Sequence, residues 1–102
     1  MNNKKVVFYI GCNDKDTHKQ EKSDNEIMQT INKCLSGSGI TGATITRGLL
    51  GIYNNEQEKS VQVLCYFLTS EQVAEFCEKI KKALNQEAVA VEIINNIQVQ
   101  FL

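Results

Sequence analysis

The sequence predicts an α+β domain in which two helices cover one face of an antiparallel sheet. Three observations lead to this prediction. Two capping signals each precede apolar side chains at helical spacing, runs of β-branched and aromatic residues lie around them, and the 102-residue chain contains no proline. A chain of this length forms one core, so we expect residues 1–102 to be a single domain.

The first strand is predicted over residues 4–11, which contain the continuous apolar run VVFYI. Such a run suits a central strand that is covered on at least one face. Residues 13–22 are entirely polar and predict an exposed loop. The loop is long for a compact domain, so it is either a solvated connection or a lid over a small ligand.

The first helix begins at a capping box formed by Ser23 and Glu26. Apolar side chains follow Ile27 at helical spacing, and Gly37 and Gly39 end the helix. We therefore expect an amphipathic helix between the first two strands.

The next two strands are predicted on either side of a polar segment. The β-branched residues 44–46 indicate a second strand over residues 42–53, and the polar residues 54–59 indicate a turn or loop. Alternation over residues 61–68 predicts the third strand.

The second helix begins at Thr69, with Gln72 completing the cap, and its apolar stripe runs to about residue 85. Residues 88–94 predict a fourth strand, and alternation over residues 97–102 predicts a short final strand. The order is therefore βαββαβ with an extra C-terminal strand, which is the ferredoxin-like arrangement. Its uncovered sheet face and apolar last strand predict a homo-oligomer.

Composition excludes several classes of partner. The formal net charge of -1 provides no basic footprint for a nucleic acid duplex or a membrane surface, and no apolar stretch approaches the length of a membrane span. The apolar run near the N-terminus is shorter than the core of a signal peptide, so we expect a cytoplasmic protein.

The cysteines carry no metal or redox motif. Cys12, Cys34, Cys65 and Cys77 lack CxxC spacing, and three of them fall on apolar phases of predicted elements. Cys12 closes the first strand and is the accessible exception. We expect no metal and no cofactor.

The best candidate site is the segment GITGATITRGLLG, residues 39–51. It joins a helix end to a strand and places Arg47, Gly48 and Gly51 where that strand leaves the sheet. Glycines let a ligand approach the backbone, and a guanidinium pairs with phosphate or carboxylate. The alternative interpretation is a β-bulge with a solvated arginine.

This segment, together with VFYIG at residues 7–11, resembles the PII-like signalling superfamily, in which a GxTGATxxRGxxG type segment closes the second strand. The resemblance implies a ferredoxin-like trimer that binds adenine nucleotides or related ligands in clefts between subunits. It places Arg47, Gly48 and Gly51 at the base of a loop after the second strand, beside the end of the first strand. The segment after the second strand is shorter than in PII proteins, and their C-terminal basic residues have no match here.

The ligand-binding candidates combine this segment with the polar loop and the tyrosine that follows the glycines. Tyr53 is included because its ring can stack on a base. The lone His18 lacks an oriented partner for catalysis. The full candidate set is Gly11, Asn13, Asp14, Lys15, Thr17, His18, Arg47, Gly48, Gly51 and Tyr53, with no catalytic residue assigned.

The sequence therefore favours a non-enzymatic protein that senses or sequesters a small anionic ligand, such as a nucleotide-derived signal, between subunits. Two alternatives remain open. One is a protein-binding inhibitor or adaptor, of phage or mobile-element origin, that acts through its sheet edge. The other is a small enzyme that uses His18 or Cys12.

Overall fold

The computed structural model describes residues 4–102 and confirms the predicted order of two helices and four strands. The sheet is antiparallel throughout, with spatial order β2-β3-β1-β4, so the apolar first strand is central. The elements are β1 (Lys4–Gly11), α1 (Asp24–Gly37), β2 (Thr44–Tyr53), β3 (Glu56–Tyr66), α2 (Ser70–Ala83) and β4 (Ala90–Asn95).

The core lies between the helices and one face of the sheet. Val6, Phe8 and Ile10 alternate along β1 and are fully buried. The Phe8 ring packs edge-to-face on Phe76 of α2, with ring centroids 4.6 Å apart. Aromatic pairs of this geometry add to the stabilisation that burial of the rings provides. This contact fixes α2 over the centre of the sheet.

Both capping boxes form as predicted. The Ser23 hydroxyl accepts from the Glu26 amide, and the Glu26 carboxylate accepts from the Ser23 amide. Thr69 and Gln72 make the same reciprocal pair at the start of α2. Each box satisfies amides at a helix start that have no partner within the helix.

The loop predicted over residues 54–59 is wrong, because β3 already begins at Glu56. Only Asn54 and Asn55 form the turn, and both have positive φ, 51° and 65°. Two-residue turns with positive φ at both positions match the twist of the strands that they join, and asparagine tolerates them. Residues 50–59 therefore form a two-stranded projection beyond the end of β1, here called the hairpin arm.

The final strand predicted over residues 97–102 is also wrong, because no strand follows β4 in the part of the chain described. Asn96 has a φ of 56°, which turns the chain away from the strand direction. Phe101 instead packs against Tyr66 and Phe67, with ring centroids 6.4 and 6.2 Å apart. Among residues 4–102, no helix has the length and apolar character needed to cross a membrane.

Candidate functional site

A cavity of about 340 Å³ lies on the open face of the sheet, where β1 ends and the hairpin arm begins. This volume is within the range of small-molecule sites. Alternation along β1 turns Tyr9 and Gly11 away from the helices and into this cavity. Three segments complete its walls: the first part of the polar loop, the hairpin arm, and residues 86–90 between α2 and β4.

Glu58 lies in the floor of this cavity. It stands opposite Gly51 in the hairpin, and its Oε2 accepts from the Asn13 amide at 3.0 Å. Among residues 4–102, this amide is the one hydrogen-bond donor to the Glu58 carboxylate, and no cation there forms a salt bridge with it. A half-buried carboxylate without a cation can attract a positive ligand group.

Two tyrosines contribute aromatic surface and pair with carboxylates on neighbouring segments. The Tyr53 hydroxyl donates to Glu87 at 3.2 Å, which joins the hairpin arm to the segment after α2. The Glu87 charge raises the pKa of the Tyr53 phenol, because an anion disfavours the phenolate. Tyr9 donates to Glu92 of β4 at 3.2 Å. Both rings are thus held at the cavity by hydrogen bonds from their hydroxyl groups.

The polar loop is anchored to the end of α2. The Asn85 amide nitrogen donates to both carboxylate oxygens of Asp14 at 3.0 Å and to Asp16 at 2.8 Å. Gln86 also donates through its side chain to the Asn13 carbonyl. The Asn85 hydrogen bonds lower the pKa of the Asp14 carboxyl, because they favour its charged form. The loop start is therefore an ordered wall of the cavity.

His18 connects the same loop to the hairpin arm. Its Nδ1 lies 3.0 Å from Glu56 Oε2, and both side chains are more than half exposed. His18 also has a φ of 60°, and its amide donates to the Asp14 carbonyl. An exposed pair of this kind adds little stability, so the contact defines the cavity rim rather than closing it.

Seven of the ten residues proposed from the sequence line this cavity, and three do not. Thr17 instead donates through its amide to Asp14 within the loop. Arg47 and Gly48 lie at an irregularity in the β2–β3 pairing, where Gly48 has a φ of 76°. Those in the cavity lining are Gly11, Asn13, Asp14, Lys15, His18, Gly51 and Tyr53.

The charge of Arg47 bears on Asp24 at the start of α1. Hydrogen bonds from Gln20 and Lys59 lower the pKa of the Asp24 carboxyl, and the Arg47 charge contributes to the same shift. The Arg47 side chain lines no part of the cavity.

Cys12 is not placed for chemistry in this cavity. Its side chain is buried, and it lines a different depression beside α1 and the end of α2. Burial and the nearby Glu58 charge raise the pKa of the Cys12 thiol to about 11. A thiol of this kind is protonated near neutral pH and is a poor nucleophile. Within the described residues, no group of three or more His, Cys, Asp or Glu side chains could hold a metal ion.

Sequence reasoning missed the carboxylates that give the cavity its charge. The sequence predicted a loop at Glu56 and Glu58, and it predicted neither helix nor strand at Glu87. Residues 56–60 are all polar, so the alternation that marks β3 begins only at Val61 and no local signal placed these glutamates in a strand. With Asp14, four carboxylates line the cavity, against Lys15 and His18 as the basic residues there.

The comparisons with known proteins support the fold. No protein-family model matches the chain, and no curated protein sequence matches it. A phage SAM lyase, solved with S-methyl-5'-thioadenosine, has a TM-score of 0.68 and 21% identity over 92% of this chain and 81% of the lyase. The lyase without ligand has the same TM-score at 20% identity, with the same coverage.

Two further structures have the same fold at lower identity. The divalent ion tolerance protein CutA1 from Ehrlichia chaffeensis has a TM-score of 0.60 and 13% identity, covering 98% of this chain and 87% of CutA1. A DUF3240 family protein from Shewanella baltica has a TM-score of 0.56 and 12% identity, covering 100% and 99%. These similarities are consistent with the PII-like resemblance and, at such low identities, extend to the fold alone.

The expectation of a non-enzymatic protein is wrong. It depended on the absence of a catalytic triad and on the signalling proteins that the sequence resembles. A lyase is among the structures that share this fold, so the same arrangement of helices and strands supports catalysis. Fold does not determine function, and the site itself must carry the argument.

Proposed function

We propose that this protein is a lyase that binds a sulfonium nucleoside such as S-adenosylmethionine in the open-face cavity and cleaves a carbon–sulfur bond. The observation that carries the proposal is the Glu58 carboxylate, which lies half-buried in the cavity floor with a backbone amide as its hydrogen-bond donor. The fold that the chain shares with a SAM lyase provides the class of substrate.

The charge of the cavity favours a cationic ligand group over the anion that Arg47 suggested. Four lining carboxylates oppose two basic side chains, and Arg47 is not in the lining. Of these carboxylates, Asp14 is bound by Asn85, Glu56 is bound by His18 and Glu87 accepts from Tyr53. Glu58 is thus the carboxylate that a sulfonium group can approach with least competition from side chains.

The aromatic surface suits the same ligand. The faces of Tyr9 and Tyr53 can attract a cation through their ring quadrupoles, and a ring can stack on an adenine. Gly51, which also lines the cavity, has no side chain to narrow it.

The proposed reaction removes the positive charge from sulfur. The bond from sulfur to the amino-acid chain breaks, and its electron pair stays on sulfur, which becomes the neutral thioether of S-methyl-5'-thioadenosine. The carbon that leaves sulfur either forms a bond to an oxygen of the fragment's own carboxylate, giving a lactone, or forms a double bond to the next carbon, whose proton passes to water. A carboxylate at Glu58 would hold the cationic substrate more tightly than the neutral product, which favours product release.

The proposal also involves a second copy of the chain. Leu50 and Ile52 of the hairpin arm are 66% and 71% exposed, although they are large and apolar. Exposed apolar surface of this kind indicates an interface. We propose that the arm packs against another subunit in a cytoplasmic homo-oligomer, most simply a trimer, whose subunit number native mass spectrometry would report.

The test is turnover of S-adenosylmethionine by the purified protein, with S-methyl-5'-thioadenosine detected by mass spectrometry. We expect turnover by the wild type and a loss of about 100-fold in kcat/KM in Glu58→Gln, mainly through a higher KM, because the neutral amide no longer attracts the sulfonium cation. Glu71→Gln, which changes an exposed carboxylate in the first turn of α2, is the matched control and should behave as the wild type. The proposal is refuted if the wild type shows no turnover of S-adenosylmethionine and is not thermally stabilised by it.

A further inference from the structure

We infer that Gly11 is a positioning residue, and that the missing side chain at this position is what allows the Glu58 carboxylate to lie across the end of β1. The inference rests on the proposed function, because it concerns the group that would face the sulfonium. It requires a glycine at position 11, which the similarity of the folds does not by itself imply.

Space is the reason for glycine at position 11. A Cβ atom built there would lie 2.6 Å from both Cδ and Oε2 of Glu58, and closer still to Oε1. Real Cβ contacts are longer than this, so alanine at position 11 and the present Glu58 position exclude each other. Gly11 is the last residue of β1, and its φ is not among the positive values of the chain. Conformational freedom therefore does not explain the glycine.

The Asn13 amide is the second group that holds the Glu58 carboxylate in place. Beyond β1, the Cys12 amide still donates to the Lys59 carbonyl at 3.0 Å, which continues the pairing with β3. The chain then leaves the sheet, and the next amide donates to Glu58 Oε2 at 3.0 Å. Hydrogen bonds from an amide to a carboxylate are stronger than those between neutral groups. The carboxylate is held between this amide and the bare backbone of Gly11.

The obstructing atoms are at the end of a flexible side chain, so Gly11→Ala should fold. The Glu58 carboxylate would rotate away from β1 and lose the Asn13 amide. The variant then retains every charge of the cavity but misplaces one of them. A misplaced group near reacting atoms costs a large factor in rate, because catalysis depends on orientation.

The chain offers two matched controls. Gly51→Ala makes the same change in the strand opposite, where the nearest atoms to a new Cβ are Ser60 Cβ at 3.6 Å and the Glu58 carbonyl oxygen at 3.8 Å. These are ordinary contacts, so the Glu58 carboxylate should stay in place. Gly42→Ala lies outside the cavity, and a Cβ there meets no atom within 4 Å. It controls for the substitution itself.

The experiment combines a spectroscopic measurement with kinetics. In amide NMR spectra, we expect the Asn13 proton to move upfield in Gly11→Ala and in Glu58→Gln, and to keep its position in Gly51→Ala and Gly42→Ala. With S-adenosylmethionine, we expect kcat/KM of Gly11→Ala to fall by about 100-fold, as in Glu58→Gln, whereas Gly42→Ala turns over as the wild type does.

The two proposals fail in different ways. An Asn13 proton that keeps its wild-type position in Gly11→Ala overturns the positioning inference, whatever the activity. If Gly11→Ala turns over S-adenosylmethionine as fast as the wild type does, only the catalytic part of the positioning inference is overturned. A wild type that neither binds nor cleaves S-adenosylmethionine overturns the proposed function and that catalytic part, while the Asn13 signal still decides the position of Glu58.

Discussion

The two faces of the sheet differ in what their side chains do. On the covered face, Val6, Phe8 and Ile10 meet the helices and are fully buried. On the open face of the same strand, Tyr9 and Gly11 line a cavity with carboxylates on its walls. Because side chains alternate along one strand, the residues that stabilise the core and those that line the cavity point to opposite faces of the sheet. A substitution on the first face should change unfolding, and one on the second should change ligand binding.

The largest expected effect is on the covered face. Phe76→Ala removes the ring that packs on Phe8 and leaves a cavity against the sheet, so we expect the free energy of unfolding to fall by about 3–5 kcal/mol. Urea denaturation would measure it. Tyr9→Phe, on the open face of the same sheet, removes only a hydroxyl that reaches an exposed carboxylate and should cost less than about 1.5 kcal/mol. Equal losses would contradict the division between the faces.

A smaller effect is expected at the rim of the open face, where Asn85 holds Asp14. The Asn85 hydrogen bonds lower the pKa of Asp14 in the folded protein below its ordinary value of 3.8. This contribution to stability is complete above pH 3.8 and is lost as the pH falls through the folded-state pKa. Asn85→Gly removes these bonds while tolerating the φ of 49°.

The measurement is chemical denaturation of the wild type and Asn85→Gly from neutral pH downwards. We expect the stability difference between them to shrink as the pH falls below 3.8. Asn32→Ala, an exposed position on α1, is the control and should show a difference that does not depend on pH. The same pH-independent behaviour in Asn85→Gly would contradict the prediction.

The smallest effect is expected for Arg47→Ala. Because Arg47 does not line the cavity, we expect the thermal stabilisation by S-adenosylmethionine to match that of the wild type. Differential scanning fluorimetry would measure it. If Arg47→Ala folds but is no longer stabilised by S-adenosylmethionine, Arg47 takes part in binding. That result would favour the anionic ligand that its sequence context suggested.

The covered face could be predicted from the sequence because its signals are local. A capping box specifies a helix start within four residues, and the apolar run of β1 indicates a central strand. The element order followed from these signals. The strand predicted over residues 97–102 does not form, although its apolar and polar residues alternate. Asn96 turns the chain, and Phe101 packs on other aromatic rings.

The open face was harder to predict because pairing across the sheet creates it. Glu56 and Glu58 have no local preference for a strand and take that conformation through pairing with β2. The cluster of Asp14, Glu58 and Glu87 joins distant parts of the chain, and no spacing in the sequence reports it. Arg47 had a convincing local motif, yet its position depends on a pairing irregularity that the motif does not encode.

The central place of β1 also has a consequence for folding order. The two neighbours of this strand, β3 and β4, both follow it in the chain, and β4 lies close to the end of the described residues. During synthesis, the β2–β3 hairpin and each helix can form from local contacts, but the first strand must wait for its last neighbour. Until β4 emerges from the ribosome, the most apolar strand has an open edge, and this is the stage at which the nascent chain most needs protection from aggregation.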